Sequence, residues 1–264
     1  MKALIKIGGA LLDSVESRQR LAAEIGQAAE DGLKAVVVHG GGKQMTRFLE
    51  ERGVESRWVN GLRVTTPDVL DAVLKIFAGS VNQELVAAFI SKGVQAVGLT
   101  GMDALLTEAR QMNADLGFVG KPVRSDARLL DLLLENSYLP VVACLAGDRH
   151  GQFYNVNADQ MAASVASAIR AEKLFFLTDV DGVWGNDKVI YPTITIDKCK
   201  KLIEQGIASA GMQAKLEAAM EALLSGVNEV VIAPGAVAGI IPKLLSGHQI
   251  GTRLLAEIGV PSNG

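Results

Sequence analysis

Two apolar runs that each end in glycines constrain this chain more than any other feature. Residues 34–39, KAVVVH, are almost continuously apolar and lead into Gly40, Gly41, Gly42 and Lys43. A strand without polar alternation is one buried on both faces, as in a parallel sheet. Residues 2–7, KALIKI, end in Gly8 and Gly9 in the same way. A helix pattern from about Ser14 to Asp31 separates the two runs. An opening of the form β-Gly-α-β-Gly-α predicts an α/β fold with a doubly wound sheet and right-handed crossovers.

The remainder keeps that style. A helix is expected over about 67–91, capped by Thr65 or Thr66 with Pro67 in its first turn, and then a strand in VQAVGLTG. Residues 107–125 read as one or two antiparallel strands over the sheet edge. A helix over about 127–136 precedes a strand in LPVVACLA. YNVNADQMAA, residues 154–163, brings Asn155, Asn157 and Asp159 to alternate positions at a helix start, with Asp159 as the expected N-cap. KLFFLTDVDGVW is a strand ending in a glycine turn, and TIDKCKKLIEQG is a helix capped by Thr195 or Asp197. ASAGMQAKLEAAMEALLSG is a glycine loop feeding a helix with Lys215 on its first turn. NEVVIAP is a last buried strand, and GTRLLA closes the sheet as an edge strand. No linker divides the 264 residues, so a single domain is expected, with lobes over about 1–170 and 171–264 on one sheet.

Composition excludes several functions. A net charge of −3 provides no basic field for nucleic acid, and 5% aromatic residues provide no platform for stacking bases. The lysine inside the first apolar run argues against a signal peptide, and no uninterrupted apolar stretch suits a membrane span. Cys144 and Cys199 lack metal-site spacing and read as reduced thiols of a cytoplasmic protein.

The glycine loops fall where parallel sheets bind ligands, beyond the carboxyl ends of the strands. Glycine lets backbone N–H groups approach an anion closely, so a phosphate or carboxylate ligand is expected. HGGGKQ is not a Walker loop, and no G-x-G-x-x-G follows a strand. Lys6 stands in a strand buried on both faces, where it needs an anionic partner unless the strand is an edge and the side chain snorkels to solvent. Lys215 near a helix start opposes the helix dipole, which favours an anion-binding role over a solvated one. Arg63 either clamps a carboxylate or is a surface loop residue. His39 lacks a catalytic or metal-ligating partner at useful spacing and reads as structural. Lys43, Asp103, His150 and His248 receive no role.

KIGGALL, VVHGGGKQ, NGLRVT, LLENSYLPVVA, YNVNADQMAA, LTDVDGVW, GM-x-x-K and GTRL occur in this order over residues 2–256. The ordered set closely resembles the acetylglutamate kinases, a branch of the amino-acid kinase family. The resemblance implies a three-layer αβα sandwich with a mostly parallel sheet of about eight strands. It implies transfer of a phosphoryl group from ATP, with Mg²⁺ on its phosphates, to the γ-carboxylate of N-acetyl-L-glutamate, the second step of arginine biosynthesis. By motif, Lys6 and Lys215 neutralise the phosphoryl group and Asp159 positions both lysines. Gly8, Gly9, Gly41 and Gly42 donate backbone N–H groups, the first two on the nucleotide side and the last two on the substrate side. Arg63, Asn155 and Asn157 lie at the substrate. Asp179, Val180, Asp181, Gly182, Val183, Trp184, Ile207, Ala208, Ser209 and Met212 line the nucleotide site.

Ala210 and Ala214 depart from the common GGM-x-PK loop, and Met102 and Ala104 stand where relatives carry a lysine and a glycine. Arginine-inhibited hexameric relatives carry an N-terminal helix before the first strand. Its absence here implies a homodimer insensitive to arginine, joined through the helix over about 67–91. The rivals are a kinase of another carboxylate, such as a carrier-linked aminoadipate, and a non-catalytic amino-acid sensor on the same fold.

Overall fold

The computed structural model describes residues 1–186, 188–208 and 210–257. The chain opens with β1 (Lys2–Ile7) and a single 3-10 turn, then α1 (Val15–Glu30), which Ser14 caps by accepting from Ser17 N–H. β2 (Lys34–His39) and α2 (Gly42–Glu50) follow, then a hairpin of β3 (Trp58–Val59) and β4 (Leu62–Arg63). The next helix, α3 (Pro67–Ile90), is capped by Thr66, with Pro67 at its first position. β5 (Ala96–Thr100), β6 (Thr107–Gln111) and β7 (Val119–Ser125) lead to α4 (Arg128–Glu135). β8 (Leu139–Ala143), β9 (Leu145–Gly147) and β10 (Phe153–Val156) precede α5 (Ala158–Ala168). The second half holds β11 (Lys173–Thr178), β12 (Thr193–Thr195), α6 (Ile196–Glu204) and α7 (Ala210–Leu224). β13 (Glu229–Pro234), α8 (Ile240–Leu245) and β14 (Thr252–Leu255) complete it.

Among the described residues, eight strands form one sheet in the order β12-β14-β13-β11-β1-β2-β8-β5. Strands β13 to β5 of that order run parallel; β14 is antiparallel to β13, and β12 follows β14. The two halves of the chain meet where β1 pairs with β11, placing Lys6 beside Phe176. Helices flank the sheet in two groups. α1 packs with α3 and α8, while α5 lies over β1, β2 and β11 with α7 beside it. Leu4, Ile5, Phe175 and Phe176 are fully enclosed at the centre. Such residues are the apolar strand interiors that the sequence pattern marks.

Several elements differ from their sequence reading. LPVVACLA is two strands: it breaks at Cys144, and β9 leaves the main sheet to join β6, β7 and β10 in a small closed barrel. An unbroken apolar run conceals that exchange because one core buries the strands on both sides of the break. GTRLLA is not an edge strand; β12 lies outside β14. α3 is not uniformly α-helical, since residues 74–81 form a wider π-helical stretch. Length and a mean hydropathy of 1.4 would let α3 cross a membrane, yet half of its most apolar window is buried. Leu85 and Phe89 are fully enclosed, which makes α3 a core helix.

His39 ends β2 inside that core. Its Nδ1–H donates to Gly40 O at 2.8 Å, and its Nε2 accepts from Asn82 Nδ2 at 2.9 Å. Asn82 Nδ2 also donates to Val141 O at 3.0 Å, so β2, β8 and α3 are joined through the Asn82 amide and one neutral imidazole. Burial pushes the His39 pKa down to about 4. The folded value lies below the unfolded one, so the fold is at full strength above about pH 6.5 and weakens as pH falls toward 4. Urea unfolding should show a stability loss of about 2 kcal/mol between pH 8 and pH 5 that His39→Gln abolishes. An unchanged pH slope in that variant would contradict this assignment.

Candidate active site

The site forms at the carboxyl ends of β1, β2 and β11, where the glycine loops meet. A cavity of about 790 Å³ is lined by Lys6, Gly8, Gly9, Gly42, Asp159, Thr178, Asp179, Val180, Met212 and Lys215. A chamber of about 220 Å³ opens from it toward Gly41, Arg63, Phe77, Val119, Cys144 and Asn155. Lys6, Gly9, Gly42 and Asn157 border both spaces.

Lys6 stands on β1, an interior strand of the sheet, so its side chain has no edge from which to snorkel. Its Nζ lies 2.8 Å from Asp159 Oδ1. Lys215 Nζ donates to the other oxygen, Oδ2, at 2.9 Å. All three are nearly enclosed, at 7%, 7% and 8% exposure for Lys6, Asp159 and Lys215. Burial alone would raise the Asp159 pKa, but the charges of Lys6 and Lys215 outweigh it and hold the carboxyl at about 2. The Lys215 pKa is lowered, first by burial and then by the charge of Lys6. Two ammonium groups on one carboxylate leave one net positive charge facing the cavity.

The way α5 begins leaves Asp159 free to face the lysines. It does not cap α5. Asn157 is the N-cap, and its Oδ1 accepts from Asp159 N–H at 2.9 Å and Gln160 N–H at 3.2 Å. Asp159 therefore sits in the first turn of α5, where the helix dipole favours its charge and its carboxylate can turn toward the lysines. Lys215 lies on the second turn of α7, not the first, because that helix begins at Ala210.

The smaller chamber is bordered by residues of β4, β10 and α2. Arg63 is buried, and its Nη2 donates to Thr46 Oγ1 at 2.7 Å and Gly42 O at 3.4 Å. Its Nη1 donates to Ser56 Oγ, and its guanidinium stacks 4.3 Å from the Trp58 ring centroid. Burial lowers its pKa from the usual arginine value. Asn155 Nδ2 donates to Thr65 Oγ1 at 3.0 Å, and that hydroxyl donates to Arg63 O at 3.0 Å. Gly41 packs under Phe77 of the π-helical stretch; a Cβ there would lie 2.9 Å from the ring. The two glycine loops also touch, since a Cβ on Gly9 would lie 3.1 Å from Gly42 N. The Gly8 N–H is already bonded to Leu177 O at 2.8 Å, so Gly8 shapes the wall without a free donor. Gly42 N–H opens α2 and has no intrahelical acceptor.

The remaining sequence candidates scatter more widely. Asp179, Val180 and Met212 border the cavity. Asp181, Gly182, Val183 and Trp184 form the turn beyond it: Val183 N–H donates to Thr252 Oγ1 at 2.8 Å, and Trp184 is half-exposed opposite Ile190. Ile207 and Ala208 pack on the core, and Ser209 lies outside the described residues. Sequence reasoning did not single out Asp13, Thr46, Arg47, Trp58 or Thr178, which also line the cavity. Their residue types are common in loops and helix starts, and no spacing marks them. Cys144 at the chamber wall is a thiol that burial pushes up to about 12, hence an un-ionised one. Among the described residues, no group of three or more His, Cys, Asp or Glu side chains comes together.

Comparison with known proteins agrees with this architecture. The sequence profile of the Amino acid kinase family matches residues 1–234. An acetylglutamate kinase of Solibacter usitatus is 56% identical over 255 residues, covering 97% of this chain and 99% of the relative. One from Acidobacterium capsulatum is 43% identical over 260 residues, with 97% and 100% coverage. Among solved structures, the N-acetylglutamate synthase of Neisseria gonorrhoeae, complexed with coenzyme A and N-acetyl-glutamate, superposes with a TM-score of 0.87 at 28% identity. The match covers 98% of this chain and 60% of that one. A carbamate kinase of Giardia, at 16% identity and a TM-score of 0.71, shares the fold. Profile, full-length identity and superposition agree: the chain belongs to the amino acid kinase family.

Proposed function

We propose that this protein transfers the terminal phosphoryl group of ATP to the γ-carboxylate of N-acetyl-L-glutamate, as the second step of arginine biosynthesis. The observation that carries the reading is the Lys6–Asp159–Lys215 arrangement at the junction of a large cavity and a smaller chamber. The full-length relatives named acetylglutamate kinase support the choice of acceptor.

The acceptor would occupy the chamber, with its α-carboxylate end toward Arg63 and Asn155 and its γ-carboxylate toward Lys6. To receive it, Arg63 would exchange its hydroxyl partners on Ser56 and Thr46 for a carboxylate, a stronger match for a planar fork. ATP would enter from the side of Asp179, Val180 and Met212. The turn at Asp181 to Trp184 and the segment of Ile207 and Ala208 would flank its base. Mg²⁺ would arrive on the ATP phosphates as part of the substrate complex. Among the described carboxylates lining the cavity, Asp13 is paired with Arg47 and Asp159 with the lysines, which leaves Asp179 to face such a complex.

The chemistry needs no general base, because the nucleophile is already ionised at neutral pH. A carboxylate oxygen attacks the γ-phosphorus in line. The bond to the bridging oxygen breaks, and ADP leaves with the electron pair. The barrier lies in bringing two anions together and in the charge on the equatorial oxygens of the transferring group. Lys6 and Lys215 supply that charge stabilisation, and Asp159 holds them in direction without cancelling it. Gly9 and Gly42 let backbone donors come close from two sides.

The test is ATP-dependent trapping of an acyl phosphate with hydroxylamine. N-acetyl-L-glutamate should yield hydroxamate, and glutamate, aspartate and carbamate should yield little. Preference for another acceptor in that panel would replace the substrate assignment and keep the reaction class. The protein would assemble as a homodimer through α3, whose outward face keeps Ala87 and Ile90 exposed and Leu74 and Ala78 partly so. Sedimentation as a monomer would contradict that. The two buried free thiols, Cys144 and Cys199, suit a cytoplasmic setting.

A further inference from the structure

Lys43 is a cation that the mechanism above leaves unused. It occupies the second position of α2, where its charge opposes the positive end of the helix dipole. It is exposed, and its ammonium makes neither an ion pair nor a hydrogen bond among the described residues. Arg47, one turn further on, is paired with Asp13 and has its charge matched. A lysine in an unfavourable helix position, unpaired and bordering a cavity, is placed to meet an anion there.

Its location says which anion. Lys43 lines the large cavity and not the acceptor chamber. Its neighbour Gly42 closes on Gly9, so the start of α2 borders the space between the glycine loops. The wall of Thr178 to Val180 and the start of α7, which face the nucleotide in this reading, come from the other half of the chain. A polyphosphate entering from that wall reaches α2 with its terminal phosphate.

We propose that Lys43 is a third phosphate-binding cation, which pairs with the terminal phosphate of the nucleotide from the acceptor side of the cavity. The inference rests on the kinase reading and adds to it a means of telling ATP from ADP. Lys6 and Lys215 are tied to Asp159, whereas Lys43 is free to swing with the ligand. It engages ATP, whose terminal phosphate it can reach, and releases ADP once that phosphate has left.

Calorimetric binding of ATP and of ADP to wild type, Lys43→Gln and Lys43→Arg tests this, together with the KM for ATP at several salt concentrations. Lys43→Gln should weaken ATP about three- to tenfold and ADP less than about twofold, a modest loss because the pair is open to solvent. The KM for ATP should also rise less steeply with salt in Lys43→Gln, since one screened attraction has gone. Lys43→Arg should restore most of both effects. A purely structural role would leave the salt slope and the ATP-to-ADP ratio unmoved. Equal weakening of ATP and ADP, or wild-type affinity and salt slope in Lys43→Gln, would overturn the proposal while leaving the kinase reading intact. Failure of the wild-type protein to bind ATP would sink both.

Discussion

Replacement of Lys6 or of Lys215 by alanine is expected to lower kcat at least about a hundredfold, the usual loss when one preorganised donor to a developing charge is removed. Lys43, exposed and not tied to Asp159, does not stand where either ammonium does. Lys6 and Lys215 approach the site from a strand and a helix in different halves of the chain, and Asp159 fixes their mutual position. The effect should fall mainly on kcat, because both charges act most strongly when the phosphoryl group is in transit. Arginine at position 215 should not restore full activity, since a planar fork cannot place one point charge where the ammonium stands. The lowered Lys215 pKa adds a pH signature. The alkaline limb of the kcat/KM profile, which reports the free enzyme, should begin below the ordinary lysine range, because burial and Lys6 both favour loss of that proton. Near-normal turnover in either alanine variant would remove that lysine from the chemistry.

Asp159→Ala is expected to damage both stability and activity. It leaves two nearly buried ammonium groups without their shared carboxylate. Breaking a buried ion pair by removing one partner costs about 3–5 kcal/mol, and the opening to the cavity argues for the lower part of that range. Inorganic phosphate should then stabilise the variant more than the wild type, by standing where the carboxylate stood. The acid side follows from the same group. Its folded pKa of about 2 lies below the unfolded value, so its contribution is present above about pH 4 and is lost as pH falls toward 2. Thermal unfolding with and without phosphate measures both effects. An Asp159→Ala protein as stable as the wild type, with no added response to phosphate, would show that the lysines do not depend on it.

Much of this was legible in the sequence for a specific reason: charge in the wrong place is informative. Lys6 inside an apolar strand called for an anion unless the strand was an edge, and the structure makes β1 interior and places Asp159 at 2.8 Å. Arg63 among apolar neighbours is buried and stacked on Trp58. The glycine loops after β1 and β2 do meet, because parallel strands bring their carboxyl ends together. What was not legible depends on where the chain turns. Asn157 and Asp159 are both good caps, and only the exit of the chain from β10 decides that Asn157 takes the cap and frees Asp159. The break at Cys144 hides in a run that is buried in one core on both sides of the break. The place of β14 between β12 and β13 reflects long-range pairing that local pattern does not encode.

The central claim is direct transfer between two bound anions over the Lys6–Asp159–Lys215 charge cluster. A rapid-quench single turnover with γ-labelled ATP and N-acetyl-L-glutamate tests it most directly. The label should pass from ATP into a hydroxylamine-sensitive product with no labelled protein at any time, and Lys215→Ala should slow that step at least about a hundredfold. Label appearing on the protein, or ATP consumed at the wild-type rate by the Lys215→Ala variant, would contradict the account.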